Sequence, residues 1–258
     1  MRDFALKIYK QYIDAIKNSY SSILRFDELM APGYEIPESF CLIRHDIDRN
    51  PGNALNMALL EKEKGVRATY FFRVKSGVFE PDIIKEIAGC GHEIGFHYES
   101  LSDAEGDFDK ALELFKNDLT KLRETVEIKT IAMHGRPLKP FDNRDMWKLP
   151  ESAQSLQELG LLGEVYLNID YSKIAYICDT GRNWLSDRSN LRDTVNSAIK
   201  ADFSSSGELM AALRDGRYPR LVFQIHPERW HDNIFLWTKQ LCLDTAVNMI
   251  KYFYRKLH

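Results

Sequence analysis

The feature that most narrows the fold is a recurring unit: a short apolar run that ends in polar residues and passes into a helical pattern. In "CLIRHDIDRN", Cys41, Leu42 and Ile43 lead into Arg44, His45, Asp46, Asp48 and Arg49. Similar runs lie at 68–72 (ATYFF), 92–98, 129–135, 173–180 and 220–227. Strands apolar on both faces suit a parallel sheet covered by helices. Helical stripes fill the intervals. The first, over residues 5–18, carries Ile8, Tyr9, Tyr12, Ile13 and Ile16, and another carries Phe108, Ala111, Leu112, Phe115, Leu119 and Leu122. Asn50 reads as an N-cap, with Pro51 at the first helical position and Gly65 just past the end. The last helix is predicted from about 233 to 256, with Ala246, Val247, Ile250, Phe253 and Leu257 on its buried side. Residues 137–172 show no clear period. Repeated β–α units in one chain predict a parallel sheet, closed into a barrel or open and doubly wound.

In such folds the C-terminal strand ends form one face, where ligand sites sit. "RHDID", "FHYES", "MHGRP", "CDTGR" and "IHPER" therefore converge. Asp46 and Asp48 are two residues apart, so they leave the strand on the same side. Two carboxylates that close repel unless a cation or a proton is shared. A divalent metal answers the problem, with His97, His134 and His226 as nitrogen donors. A mixed Asp/His set with an open position is the pattern of a catalytic Zn²⁺, Co²⁺ or Ni²⁺-type centre. The plainer alternatives are helix-entry carboxylates at Asp46 and Asp48, a core role for His97, and rim ion pairs at Arg136, Arg182 and Asp179.

The net charge of −3 gives no field for nucleic acid, and nowhere do 18 consecutive apolar residues suggest a membrane span. The N-terminal stretch has no signal-peptide pattern. The 4 cysteines are widely spaced with no C-x-x-C pair, which favours free thiols and a cytoplasmic protein.

Six stretches taken in order resemble the polysaccharide deacetylase (NodB-homology) superfamily, carbohydrate esterase family four. They are "LIRHDID", "GVRATYFF", "GHEIGFHYESLS", "MHGRP", "DTGRNW" and "IHPERW", spanning residues 42–230. The first is similar to the R-H-D-[IV]-D branch. The resemblance implies an α/β fold, a distorted (β/α) barrel of parallel strands with N- and C-terminal helices packed outside. It implies a single deacetylase-like domain over 1–258, in which 1–38 form a helical extension. The implied activity is a metal-dependent hydrolase removing an N-acetyl or other acyl group from a sugar or sugar-containing precursor. A catalytically impaired carbohydrate-binding relative, or a hydrolase of another C–N amide bond, are the alternatives.

Carried over residue by residue, Asp46 is the general base and Asp48 a metal ligand, or the reverse. His97 opens the family's histidine motif, but Tyr98 takes its Ser/Thr place and Leu101 stands where the second metal histidine belongs. His92 corresponds to a non-ligand. The third ligand must come from elsewhere: His134 first, then Glu99 or His45. His226 matches the general acid, and Arg136 or Arg182 the arginine that orients the base. Tyr98, Glu99, Asp179, Arg182, Trp184 and Trp230 are the expected substrate contacts, the tryptophans as walls for a sugar ring. The implied cofactor is one divalent ion, zinc first, with cobalt, nickel or iron as alternatives. The implied partner is a small-molecule or oligosaccharide substrate, with the oligomeric state open.

Overall fold

The apolar runs become strands of one parallel sheet in a computed structural model, which describes residues 2–148, 156–185 and 192–257. The strands are β1 (Ile23–Leu24), β2 (Phe40–Ile47), β3 (Thr69–Phe72), β4 (Glu93–Tyr98), β5 (Thr130–Met133), β6 (Gly163–Glu164), β7 (Ala175–Cys178) and β8 (Arg220–Ile225). Their order is β6-β5-β4-β3-β2-β8-β7, with β1 also paired to β2. Read around a circle, this is barrel order with one seam left unladdered, between β6 and β7, among the described residues. The distorted barrel expected from the sequence is the fold observed.

Helices α1 (Leu6–Ser19), α2 (Phe26–Leu29), α3 (Pro51–Glu63), α4 (Pro81–Gly89), α5 (Ser100–Asp103), α6 (Phe108–Arg123), α7 (Ser206–Arg214) and α8 (Ile234–Leu257) complete the chain. The stripe of α1 is buried as its spacing predicts, through Ile8, Tyr9, Tyr12, Ile13 and Ile16. Residues 1–38 are more than a helical extension, because β1 adds to the sheet beside β2. Asn50 precedes α3 but does not cap it with its side chain. Its backbone is left-handed (φ 53°), and its carbonyl takes the Asn53 N–H instead, at 3.0 Å.

The largest departure is α8. Ala246, Val247, Ile250 and Phe253, expected to be buried, are exposed, while the side chain of Leu257 lies outside those described. The face against the body is polar, with Gln240 and Asp244 buried. The reason lies in what α8 meets. Arg182 and Arg229 reach Asp244 at 3.7 and 3.6 Å, and Asn248 donates to the Gly181 carbonyl at 2.8 Å. Buried charges must be paired, so carboxylate and amide groups turn inward and the apolar residues are left outside.

Strand alternation sorts β2 into two faces. Arg44 and Asp46 point into the barrel, while His45 points out toward α1 and α3. There, His45 stacks on Tyr70 with centroids 4.2 Å apart and meets Glu61 at 2.7 Å. Tyr9 and Tyr70 also donate to Glu61. Inside, the Phe71 ring lies under the Arg44 guanidinium, 5.2 Å from Cζ to centroid, and opposite Gly95 in the β3–β4 register. A Cβ at Gly95 would overlap that ring, so only glycine lets Phe71 lie there. Gly95→Ala is expected to destabilise the protein by about 1–3 kcal/mol through overpacking. Urea unfolding would measure this, and an unchanged midpoint would show that the ring moves aside without cost.

Candidate metal centre

At the C-terminal mouth of the barrel, Asp48 follows β2, His97 lies in β4 and His134 follows β5. Both imidazole Nε2 atoms lie 3.4 Å from the same Asp48 oxygen. That oxygen is buried and has no hydrogen bond. Donors about 2.0–2.2 Å from a tetrahedral ion stand roughly 3.4 Å from one another. The spacing is long for hydrogen bonds and right for ligands around a shared cation.

Outer contacts fix which nitrogen each histidine offers. The Nδ1 of His97 lies 2.9 Å from the Ala132 carbonyl, which can only accept, so Nδ1 carries the proton and Nε2 is the free donor. The Nδ1 of His134 lies 2.8 Å from a Glu99 oxygen, with the same consequence. Histidine ligands commonly lean on a carbonyl or carboxylate in this way. Burial pushes the His134 imidazole down, but Asp48 and Glu99 outweigh it and raise it to about 9. Burial pushes Asp48 up, and His134 and His97 hold it well below the usual carboxylate range. The field that holds a proton on His134 also favours a cation among the donors. The set fits a divalent ion.

Asp46 sits beside this group, with an oxygen 3.5 Å from the Nε2 of His97. Its carboxylate is gripped by Arg44, Nε to Oδ1 at 2.7 Å and the second nitrogen to Oδ2 at 2.9 Å, and by Gln224 at 2.6 Å. Burial raises Asp46, and Arg44 with His97 more than reverses this, leaving it below the ordinary value. Just past β7, Asp179 accepts from the His226 ring Nδ1 at 2.6 Å, from Arg229 at 3.1 Å and from the Trp230 indole at 2.8 Å. This leaves Nε2 of His226 for the cleft that the ring lines. Burial and Arg229 push His226 down, yet Asp179 raises it above its ordinary value.

Of the residues expected at the site, Asp46, Asp48, His97, His134, Arg136 and His226 line one cleft. Others lie elsewhere. Tyr98 is fully buried on the opposite face of β4 from His97, edge-on to Phe115 and Trp147. Trp184 and Trp230 are core residues, packed with Phe4 and Tyr12, so neither forms a wall for a sugar. Glu99 is buried and occupied by Arg73 and His134, which makes it a support for His134. Asp179 is saturated by its own donors. Arg182 lies over the rings of Phe4 and Trp237 at 4.9 and 4.7 Å and ties its loop to α8. Leu101 is a buried apolar residue of α5, and His45 faces away from the donors.

Sequence reasoning passes over Arg44, which is the arginine paired with Asp46 where Arg136 or Arg182 is expected. Arg136 instead approaches Glu99 at 3.4 Å and Asp103 at 3.9 Å. A signal exists: Arg44 and Asp46 are two apart on a strand, hence on one face. Arg73, which spans Glu99 and the Asp48 carbonyl, carries no such signal.

No family model matches the chain, and no curated protein does. Among solved structures it is similar to a Streptococcus mutans CE4 esterase, at 14% identity and TM-score 0.45, covering 95% of this chain and 88% of that one. It is also similar to the catalytic domain of a peptidoglycan N-acetylglucosamine deacetylase from Eubacterium rectale, at 14% identity and TM-score 0.43, covering 80% and 84%. A family 4 carbohydrate esterase from Bacillus anthracis aligns at 18% identity and TM-score 0.37, covering 82% and 88%.

Removing Arg44 leaves the buried Asp46 charge without its guanidinium partner, so Arg44→Met is expected to cost about 3–5 kcal/mol. The double variant Arg44→Met/Asp46→Leu should recover most of that loss, because an apolar pair needs no charge partner. Denaturant titration of both variants checks this; a double variant no better than the single would contradict it.

Proposed function

We propose that this chain is a metal-dependent hydrolase of the polysaccharide deacetylase type, removing an N-acyl group from a sugar or sugar-bearing precursor. One observation carries the reading. Two histidines, each with its Nδ1 engaged, aim Nε2 at an unpartnered oxygen of Asp48. Asp46, paired with Arg44, and His226, paired with Asp179, line the same cleft. The order of the sequence motifs supports the choice of an N-acylated sugar over other amides.

Asp48, His97 and His134 would hold the ion, zinc first among the candidates. When bound, such an ion polarises the acyl carbonyl and lowers the pKa of a water toward about 7. Asp46, kept ionised by Arg44 and Gln224, takes the proton of the attacking water. The water oxygen bonds to the carbonyl carbon and the C–N bond breaks. His226, held by Asp179, donates from Nε2 to the leaving nitrogen, giving a carboxylate and a free amine. Arg136, at the cleft rim, is available to orient the substrate. The free thiols Cys41, Cys90, Cys178 and Cys242 support a cytoplasmic setting.

Elemental analysis of protein purified without chelators should find close to one equivalent of a divalent metal, lost in both His97→Ala and His134→Ala. The wild type should release acetate from N-acetylated amino sugars. Failure to take up metal, even after incubation with zinc, cobalt, nickel or iron, would overturn the mechanism and leave a sugar-binding relative. Asp179→Asn removes the carboxylate that raises His226. As a proton donor His226 must be charged, so the alkaline limb of kcat against pH is expected to move to lower pH and kcat to fall. An unmoved limb would exclude His226 as the acid.

A further inference from the structure

The outer surface of α8 is an extended apolar face that takes no part in the candidate cleft. Phe235, Leu243, Met249, Ile250 and Phe253 recur at helical spacing along its solvent side, with Phe235 81% and Phe253 61% exposed. The exposed Cys242 lies in the same stripe. A run of that length exceeds the scattered single apolar residues normal on a surface and marks an interaction face. Three observations bear on what covers it. The helix is held to the body by its polar side, through Asp244 and Asn248, so the apolar side is not turned out by a failed inward packing. Its only carboxylate, Asp244, is buried against Arg182 and Arg229. Its exposed charges, at Lys239 and Lys256, are positive.

We infer that the outer face of α8 docks on an anionic lipid surface, lying in the plane of the interface. Apolar and aromatic residues interleaved with cations, on a helix that exposes no acid, match a layer of acyl chains topped by negative headgroups. Pairing with the same helix of a second copy is less suited, because it buries apolar surface while bringing lysines together with no carboxylate to meet them. No helix among the described residues is long and apolar enough to cross a membrane, and the association inferred is peripheral. Val247 and Lys251, three and seven residues after Asp244 and so toward the body side of α8, line the candidate cleft, which the docked face leaves clear.

The test is co-sedimentation of the full chain with phosphatidylcholine vesicles, with and without phosphatidylglycerol. It uses wild type, Lys239→Glu and the triple variant Phe235→Ser/Ile250→Ser/Phe253→Ser. The wild type should bind the anionic vesicles, release in high salt, and have Cys242 shielded from maleimide only when vesicles are present. Lys239→Glu should weaken binding roughly tenfold, since each basic residue near a charged surface contributes appreciably. The triple variant should lose binding with its melting temperature unchanged, because the substituted side chains are exposed. Absence of wild-type binding to anionic vesicles overturns the proposal. So does a dimer that shields Cys242 without lipid and dissociates in the triple variant. Metal content measured on the same preparations reads the hydrolase centre separately, so either idea can fail while the other stands.

Discussion

The Arg44–Asp46 pair is the contact around which the interior of the barrel is organised. Both side chains are essentially inaccessible, and a charge in such a place survives only with a partner and good geometry. The geometry is good: the guanidinium fork meets both carboxylate oxygens while its face covers the rings of Tyr166 and Phe71, at 4.5 and 5.2 Å. From Asp46 the contacts continue to Gln224, which accepts from Tyr176, whose hydroxyl lies 3.4 Å from that of Tyr166. Asp46 is thus anchored to β2, β8 and β7 and to the chain just after β6. Its charge follows from the fold, with no adjustment left to a mobile loop.

The density of charge at the end of β2 also follows from alternation. Arg44, Asp46 and, past the strand, Asp48 serve the barrel mouth. His45, between them, serves an unrelated buried cluster with Glu61, Tyr9 and Tyr70 that fastens α1 and α3 to the sheet. One strand therefore carries two polar systems that do not share a side chain. His97 and Tyr98 repeat the division in β4, the histidine turned to Asp48 and His134 and the tyrosine into the aromatic core.

Much of this is legible in the residues alone. Apolar runs that stop in charged knots predict a parallel sheet with a site at one mouth, and Asp48, His97 and His134 can be grouped from their places at strand ends. Other features are hidden for physical reasons. Trp184 and Trp230 sit in motifs near the site, but the indole of Trp230 reaches Asp179 from behind, with its ring in the core. Tyr98 does not contact the cleft, as the period of two along β4 already implies once His97 is placed there. Helix α8 defeats the amphipathic rule because its body-side neighbours are Arg182 and Arg229, contributed by distant loops. A helix's own pattern tells which side is apolar; it does not tell which side meets the protein.

The unladdered seam between β6 and β7 has a consequence for the size of the interior. In a fully closed barrel, strand number and stagger dictate the radius, and side chains must fill whatever space results. Here no hydrogen-bonded ring closes among the described strands, so the circumference is not prescribed by the ladder. The spacing across the gap is instead set by what spans it, Tyr166 against Tyr176 with Arg44 beneath. Long polar side chains can act as the hoop of the barrel, and an interior that must hold a guanidinium, a carboxylate and a carboxamide gains the girth to hold them.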